Sequence, residues 1–492
     1  MTKQEYLTQI ENVIENGKFK ATWASLSNHK TPEWYRNAKF GIFIHWGIYS
    51  VPAFSNEWYS REMYEKSKPA YKHHIKTYGS QKDFGYKDFI PMFKGENFAP
   101  EKWAELFKAS GAKYIMPVSE HHDGFAMYDT EFNSWNSVNM AMHRDVMGEV
   151  KSACENEGLT YCASNHRAEH YFFMNTGRAI DSDVNDEKYG DFYGPAYYCD
   201  ELYGYKMGAT TANIRTVSPT EEFLEDWLVR CCEFIDKYQP SVFYFDWWIQ
   251  NQGFKPYLKK FAAYYYNRAE EWGKEVTINY KKQAYAPGVA TLDVERGALT
   301  DISPEVWQTC TSIAKNSWGY TENNQFKTPY HIICDFIDIV SKNGNMLLNI
   351  GPKSDGTITA EETEVLLSIG KWLKTNGEGI YGSRPFRVFG EGKVNAKEGF
   401  FKDGKAKPFT EKDFRFTYKN GCVYAFQMKP TAGSSVIIKE FKEIAEDMLI
   451  NSVTLLETGE KLTFERNKKH MEIKLNSQLS TNLPVCFKIE IG

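Results

Sequence analysis

The stretch FGIFIHW, residues 40–46, is almost continuously apolar and consists mainly of β-branched and aromatic residues. This composition is typical of a short strand that is buried on both faces. The same pattern recurs in residues 113–119, 159–164, 241–247, 276–280, 305–311 and 345–350. Helical patterns separate these runs, so strands and helices alternate along most of the chain. The alternation predicts an α/β fold in which a parallel sheet closes into a (β/α)8-like barrel.

Three helical segments have readable boundaries. Residues 100–110 show one apolar face, and a second helix follows SPTE, residues 218–221, interpreted as a capping box with Ser218 as the N-cap. A third helix follows the capping box TAEE, residues 359–362. Residues 180–214 are rich in Gly, Tyr and Asp and show no clear periodicity. We expect an inserted loop there, placed so that it could cover the active site.

The pattern changes after Arg384 to short alternating strands joined by turns. The predicted strands are residues 422–428, 435–438, 453–457, 462–465, 471–475 and 485–491. This spacing predicts an all-β domain built as a sandwich. We therefore expect a catalytic barrel over residues 1–382 and a C-terminal β-sandwich over residues 383–492.

Composition and charge exclude several classes of partner. The net charge of -5 and the pI of about 6.2 provide no basic footprint for nucleic acid and do not favour binding to anionic membranes. The longest uncharged run, residues 40–56, is too interrupted by Gly and Pro to span a membrane. Residues 1–20 lack the apolar core of a signal peptide, which predicts a cytoplasmic protein; a secreted protein with its signal removed is the alternative. The nine cysteines form no C-x-x-C pair and are expected to be reduced.

Aromatic residues make up 16% of the chain. Aromatic clefts suit ligands with apolar faces and polar edges, such as sugars, although a large aromatic core would give the same number. No P-loop, no strand-linked G-x-G-x-x-G and no G-x-S-x-G motif is present, which disfavours nucleotide enzymes and serine hydrolases.

Polar side chains collect at the predicted carboxyl ends of the strands, where a parallel barrel carries its chemistry. The residues concerned are His45, Glu57, Trp58, His121, His122, His166, Asp246, Lys281, Glu295 and Trp318. Packing does not require histidines, tryptophans and carboxylates at these positions. Their coincidence therefore predicts a functional site at this rim.

Asp246 lies between an apolar run and two tryptophans, Trp247 and Trp248. A carboxylate in such poorly solvated surroundings must be paired or functional. It can attack the anomeric carbon of a sugar and form a glycosyl ester. The alternative is a structural Asp that caps the next helix or pairs with an Arg.

The tripeptide His121-His122-Asp123 contains residue types that bind zinc. Adjacent residues on a strand point to opposite faces, so two neighbouring histidines are a poor chelating pair, and the chain has no H-E-x-x-H motif. We therefore favour hydrogen bonding to a polyhydroxylated ligand. Core histidines and a metal site remain the alternatives.

These motifs resemble the α-L-fucosidases of glycoside hydrolase family 29. The resemblance covers about residues 34–382 and lies in FGIFIHWGIYSVPA (40–53), EWY (57–59), HHDGF (121–125), FD (245–246), SWGY (317–320) and NMLLNIGP (345–352). It implies a (β/α)8-like barrel followed by a β-sandwich. It also implies retaining, exo-acting release of terminal α-L-fucose from fucosylated glycans or glycosides, with no metal or organic cofactor.

The resemblance implies roles for particular residues. Asp246 matches the nucleophile and Glu295 the acid/base, with Glu305 as the alternative acid/base. Residues that match the family's fucose-contacting positions are His45, Glu57, Trp58, His121 and His122. Lys281 stands where the family often has an Arg. Strand three departs from the family's tyrosine-rich ending, and sugar contacts there are expected from Asn165, His166, Glu169 and His170.

Trp58 and Trp318 have two interpretations. They can form a platform for the apolar face of a sugar, such as the C5 methyl of a 6-deoxyhexose, or they can simply pack the rim. If Asp246 and Glu295 form a retaining pair, their carboxyl groups should lie about 5–5.5 Å apart. Burial or like charge should then raise the pKa of the acid.

Two rival functions stay open at this point. One is a non-catalytic fucose-binding protein on the same barrel, which a single turnover assay would reveal. The other is a metal-dependent hydrolase that uses His45, His121, His122 and Asp123. Such an enzyme would lose its activity in EDTA and regain it with zinc.

Overall fold

The computed structural model describes residues 1–197, 218–404, 406–444 and 448–492, and a parallel sheet is its largest element. The strands of this sheet are β1 (Phe40–Ile44), β2 (Tyr114–Glu120), β3 (Thr160–Tyr161), β4 (Ala163–Asn165), β5 (Val242–Phe245), β6 (Thr277–Tyr280), β7 (Thr291–Leu292), β8 (Trp307–Ser312) and β9 (Gly344–Ile350). Their order is β7-β6-β5-β4-β2-β1-β9-β8. β3 and β4 pair with successive parts of β2 and share one position, which leaves eight positions.

The sheet closes on itself between β7 and β8. Asp293, directly after β7, forms a parallel bridge with Gln308 of β8. The side-chain amide of Gln308 donates to Asp293 Oδ1 at 2.8 Å, and the Val294 N–H donates to the Gln308 carbonyl at 2.8 Å. This ring confirms the predicted barrel. The sequence does not reveal β7, because two residues are too few to show a period.

Helices surround the barrel and set its outer layer. They are α1 (Lys3–Asn16), α2 (Trp23–Leu26), α3 (Glu33–Ala38), α4 (Tyr59–Glu62), α5 (Pro69–Tyr78), α6 (Pro100–Ala109), α7 (Val146–Asn156), α8 (His170–Phe173), α9 (Asn175–Arg178), α10 (Gly190–Tyr193), α11 (Glu221–Tyr238), α12 (Phe254–Trp272), α13 (Pro329–Ser341) and α14 (Ala360–Asn376). Thr359 caps α14 as predicted, since its hydroxyl accepts from the Glu362 N–H at 3.2 Å.

The predicted N-cap at Ser218 is wrong by two residues. Helix α11 begins at Glu221, and the Thr220 hydroxyl accepts from the Phe223 N–H. The Ser218 hydroxyl instead donates to Asn251 Oδ1 at 3.2 Å. Thr220 takes the role because a hydroxyl at this position satisfies a free N–H of the first turn.

Part of the inserted loop predicted at residues 180–214 lies outside the described residues. The described part, residues 180–197, holds the short helix α10. There the Tyr193 hydroxyl donates to the buried carboxylate of Asp183, which also accepts from the Tyr64 hydroxyl at 2.8 Å. None of residues 180–197 lines the cavity at the end of the barrel.

Antiparallel sheets follow the barrel, as predicted for a sandwich. The strands are β10 (Arg384–Glu391), β11 (Phe414–Lys419), β12 (Cys422–Gln427), β13 (Ser435–Ile438), β14 (Ile450–Leu455), β15 (Glu460–Leu462), β16 (Phe464–Arg466), β17 (Met471–Lys474) and β18 (Val485–Ile491). One sheet has the order β10-β11-β12-β18-β14-β15 and the other β13-β17-β16. Apolar residues of both sheets, among them Phe416, Val436 and Ile473, form one buried cluster.

A buried ion pair joins the antiparallel sheet to the barrel. The guanidinium of Arg415, on β11, donates to the carboxylate of Asp338 on helix α13. Lys342 contacts the other oxygen of Asp338 at 2.7 Å. Nearby, the Trp372 indole of α14 donates to the Pro484 carbonyl at 2.7 Å. Among the described helices, none combines the length and hydropathy needed to span a bilayer.

Candidate active site

A cavity of about 880 Å³ opens at the carboxyl ends of the barrel strands. The predicted site residues that line it are His45, Glu57, Trp58, His121, His122, His166, Asp246, Glu295 and Trp318. Lys281 is fully buried behind this wall. Glu305 is exposed and precedes β8, so it lies toward the opposite end of the barrel. Nine of the predicted residues therefore line one cavity, Lys281 contacts Asp246 and Glu295 from behind its wall, and the alternative acid/base Glu305 lies outside it.

Asp246 follows the last residue of β5, a strand whose four residues are all buried. Its Oδ2 lies 3.2 Å from His166 Nδ1 and 3.5 Å from His122 Nε2. The Lys281 ammonium lies 3.8 Å from Oδ1. Burial alone would raise the pKa of Asp246, but His166, Lys281 and His122 outweigh it and hold this pKa well below its usual range. Asp246 is therefore ionised at neutral pH.

Glu295 lies in the loop after β7 and is 7% exposed. Its Oε2 accepts from the Lys281 ammonium at 2.8 Å and from the Trp247 indole N–H at 2.5 Å. Burial and the negative charge of Asp246 raise the pKa of Glu295, and Lys281 offsets part of that rise. The two carboxyls thus differ in the way an acid and a nucleophile must differ.

Lys281 connects the catalytic carboxyls to the barrel interior. Besides Glu295, its ammonium contacts Asp293 Oδ2 at 2.9 Å and Cys310 Sγ at 3.5 Å. Burial opposes the charge, but Asp293, Cys310 and Glu295 outweigh it and raise the pKa of Lys281 well above its usual value. Lys281 is placed to neutralise carboxylates from behind and not on the wall of the cavity. The sequence gives its strand position but not the residues that face it from neighbouring strands.

Four imidazoles, those of His45, His121, His122 and His166, form one wall. The ring centroids of His45 and His166 are 5.3 Å apart, and those of His121 and His122 are 4.4 Å apart. Burial lowers the pKa of His122 to about 3 and those of His45 and His121 well below their usual value. Neutral imidazoles can donate and accept hydrogen bonds from sugar hydroxyls.

The expectation that His121 and His122 point to opposite faces is wrong. Strand β2 ends at Glu120, so both histidines lie in the following turn, where the strand alternation no longer applies. Asp123 is turned away from the cavity and accepts from the Tyr86 hydroxyl at 2.7 Å. The set His45, His121, His122 and Asp123 is therefore not assembled around one point.

Two other groups of side chains could hold a metal ion. They are His45, His121 and His166, and His122, His166 and Asp246, and in each group the ligand atoms lie within 4.8 Å of one another. Both groups lie in the wall that carries Asp246.

Glu169 is a further carboxyl in the cavity. It is 1% exposed, and its Oε2 lies 3.4 Å from His122 Nδ1. Burial and the charge of Asp246 raise its pKa well above the usual value, with Arg61 opposing. Of the other sugar contacts expected after β4, His166 lines the cavity, whereas His170 donates to the His122 carbonyl at 2.8 Å. Asn165 Oδ1 accepts from the Arg167 N–H at 3.1 Å.

Glu57 and Trp318 meet on the other side of the cavity. Glu57 Oε2 accepts from the Trp318 N–H at 2.9 Å and from the Ser317 hydroxyl at 3.1 Å. The Arg296 guanidinium lies 4.5 Å from the Trp318 ring centroid, and the Trp318 ring also packs against the His45 ring. These contacts fix the orientation of the Trp318 ring at the edge of the cavity.

Three residues that the sequence analysis did not predict as site residues also line the cavity. They are Trp247, Trp248 and Phe401. The rings of Trp247 and Phe401 stack with centroids 5.9 Å apart, and the Phe401 N–H donates to the Glu295 carbonyl at 2.9 Å. Phe401 lies more than a hundred positions from Glu295 in the sequence, and no local pattern signals this contact. The sequence identifies the two tryptophans only as neighbours of Asp246.

Known proteins are similar to this chain in sequence and in fold. A family model described as alpha-L-fucosidase matches residues 6–378. The tissue alpha-L-fucosidase of Mus musculus is 30% identical over 394 residues, which cover 76% of this chain and 76% of that protein. The plasma alpha-L-fucosidase of Homo sapiens is 30% identical over 386 residues, or 75% of this chain and 73% of that protein. The crystal structure of Thermotoga maritima alpha-fucosidase in complex with fucose matches with a TM-score of 0.74 at 28% identity, covering 96% of this chain and 100% of that chain.

Proposed function

The chain belongs to the α-L-fucosidase family of glycoside hydrolases, and we propose that it releases terminal α-L-fucose with Asp246 as nucleophile and Glu295 as acid/base. The observation that carries the assignment is that the pKa values of two neighbouring carboxyls are shifted in opposite directions. The pKa of Asp246 is held low by His166, Lys281 and His122 against its burial, and that of Glu295 is raised by burial and by Asp246. A retaining glycosidase needs one ionised and one protonated carboxyl.

The reaction would take two steps. Asp246 attacks C1 of fucose while the bond from C1 to the glycosidic oxygen breaks, and that oxygen takes its electron pair and the proton of Glu295. Water then attacks C1 of the fucosyl ester, the Glu295 carboxylate takes a proton from this water, and Asp246 leaves as a carboxylate. The net result is hydrolysis with retained configuration.

The separation of the two carboxyls supports retention. One ammonium, that of Lys281, lies 2.8 Å from Glu295 Oε2 and 3.8 Å from Asp246 Oδ1. The distance between these two oxygens therefore cannot exceed the sum of the two distances to the ammonium. That limit includes the roughly 5–5.5 Å of retaining enzymes and reaches only the lower edge of the roughly 6.5–9.5 Å of inverting ones.

The remaining wall suits a 6-deoxyhexose. The buried imidazoles and Glu57 offer polar atoms for hydroxyl groups, and Trp58 and Trp318 offer ring faces for apolar carbon and methyl groups. The polar groups would fix the orientation of fucose, and the rings would cover its C5 methyl.

The test is hydrolysis of an aryl α-L-fucoside followed by ¹H NMR within the first minutes. The expected first product is the α anomer of fucose, which then mutarotates. A first-formed β anomer would overturn the retaining mechanism, and no hydrolysis at all would overturn the assigned activity. The Asp246→Asn variant serves as the inactive control.

A cytoplasmic location remains part of the proposal. It rests on the eight cysteines of the described residues, which are all free and buried. Fractionation of the native cells with an antibody against this chain tests it.

A further inference from the structure

The cavity is larger than one fucose unit requires. Its volume of about 880 Å³ lies in the upper part of the range for sites that enclose drug-sized ligands, so it holds at least one further sugar unit. The imidazole wall lies beside Asp246. A different set of residues lines the cavity near Glu295.

The acid/base marks the side of the cavity where the leaving group lies. In the proposed reaction Glu295 protonates the glycosidic oxygen, so the sugar that carried fucose must lie next to it. The Trp247 indole N–H donates to Glu295, and the face of the same indole ring packs against Phe401. Phe401 is 48% exposed. These rings therefore form the floor on which the departing sugar rests.

Three lysines line the same cavity as these rings. The Lys282 ammonium lies 5.1 Å from the Trp247 ring centroid. Lys315 is exposed in the loop after β8 and lines the same cavity, and Lys255 lines it from the start of α12. The Lys255 ammonium donates to the carbonyls of Gln283 at 2.6 Å and Ala284 at 2.5 Å.

None of these three ammonium groups pairs with a carboxylate of the described residues. Burial alone lowers the pKa of Lys255 to about 8, with no neighbouring charge contributing. Asp403, two positions after Phe401, pairs with Lys327 at 2.7 Å and with Arg296 at 3.5 Å. The whole chain carries a net charge of -5, so an unpaired positive rim here runs against the overall balance.

We propose that the rim formed by Lys255, Lys282 and Lys315 binds an anionic group, a carboxylate or a sulfate ester, on the sugar that carries the fucose. The inference rests on the proposed function and adds a substrate class to it: acidic fucosylated glycans. Ammonium groups form charge-assisted hydrogen bonds with both anions, and the aromatic floor binds the apolar face of the same sugar. The rim also raises the rate of encounter with anionic substrates.

The experiment compares three α-L-fucosylated oligosaccharides that share one core. One is neutral, one carries a sialic acid on the core, and one carries a sulfate ester. The readout is the ratio of kcat/KM for each anionic substrate to that for the neutral one. Because exposed ion pairs contribute modestly, we expect a ratio of at least about threefold for one or both anions at low salt. The ratio should fall toward one at high salt, and the preferred anion identifies the source.

The Lys282→Gln/Lys315→Gln double variant should bring the ratio toward one even at low salt. The matched control is Lys371→Gln/Lys374→Gln, two exposed lysines of α14 that do not line the cavity, which should keep the wild-type ratio. Ratios of one or less for both anions, or an unchanged ratio in the double variant, would overturn the inference. Cleavage of the neutral substrate separates this failure from a failure of the proposed function, because that activity does not need the rim.

Discussion

Lys281 donates a 2.8 Å hydrogen bond to Oε2 of Glu295 from a position with no exposure to solvent. The contact has two consequences. It stabilises the ionised form of Glu295, which the second reaction step needs, and it limits the rise in pKa that burial causes. A buried ammonium thus sets the balance between the acid and base roles of one carboxyl.

Replacement of Lys281 by Met should move the pH profile. Loss of the positive charge favours the protonated forms of Glu295 and Asp246, so both limbs of kcat/KM against pH should shift to higher pH. The Lys281→Arg variant keeps the charge and should stay close to the wild-type profile. Limbs that do not move in the Met variant, with the fold retained by circular dichroism, would show that Lys281 does not act on these carboxyls.

Replacement of Glu295 by Ala should remove proton transfer to the leaving group. We expect a loss of about 10²–10⁴-fold for substrates with poor leaving groups and a much smaller loss for activated aryl fucosides. Azide should restore turnover and give a fucosyl azide of retained configuration. The matched variant is Glu305→Ala, an exposed carboxylate outside the cavity, which should behave like the wild type. Rescue at Glu305→Ala instead would reassign the acid/base.

Glu169 should act as a neutral carboxylic acid. Burial and the charge of Asp246 raise its pKa well above the usual value, so Glu169→Gln replaces one uncharged group by another. We expect kcat/KM at acidic pH to stay within about threefold of the wild type. Glu169→Ala, which also removes the contact with His122, should cost about tenfold. A Gln variant as inactive as Asp246→Asn would instead identify Glu169 as a charged catalytic group.

The ion pair between Arg415 and Asp338 should matter for stability and not for substrate binding. Arg415→Met leaves the buried Asp338 carboxylate with Lys342 alone, and such losses destabilise by about 3–5 kcal/mol. The urea concentration at the midpoint of unfolding should therefore be much lower in this variant, and KM should be unchanged. The exposed pair of Lys18 with Glu270 is the control, and Lys18→Met should change stability by less than about 1 kcal/mol. Equal effects in the two variants would contradict the role of the buried pair.

The barrel was predictable because its strands are buried on both faces and read as apolar runs, as residues 40–46 do. Strand β7 was not, since Thr291–Leu292 is too short for any period. Strand β10 is not predicted from the sequence for a different reason. It contains Pro385, its residues are half-buried, and its register with β11 shifts between Pro385 and Gly390. Partial burial on both faces leaves neither the continuous apolar run of a fully buried strand nor the alternation of a strand buried on one face.

The active site likewise contains residues that the sequence predicts and residues that it does not. Residues that follow a strand, such as Asp246, are predictable because parallel strands end at one rim. The position of Lys281 relative to the cavity depends on Asp293 and Cys310, which approach from neighbouring strands and leave no trace in the local sequence. Phe401 reaches Glu295 from a distant segment, so only the folded chain reveals it.

The most direct measurement is trapping of the covalent intermediate. A 2-deoxy-2-fluoro-α-L-fucosyl fluoride slows both steps but keeps a good leaving group, so the fucosyl ester should accumulate. Proteolysis and mass spectrometry should then find one added 2-fluorofucosyl group on the peptide that contains Asp246. A label on a different carboxylate, or complete turnover of the reagent with no labelled peptide, would contradict Asp246 as the nucleophile.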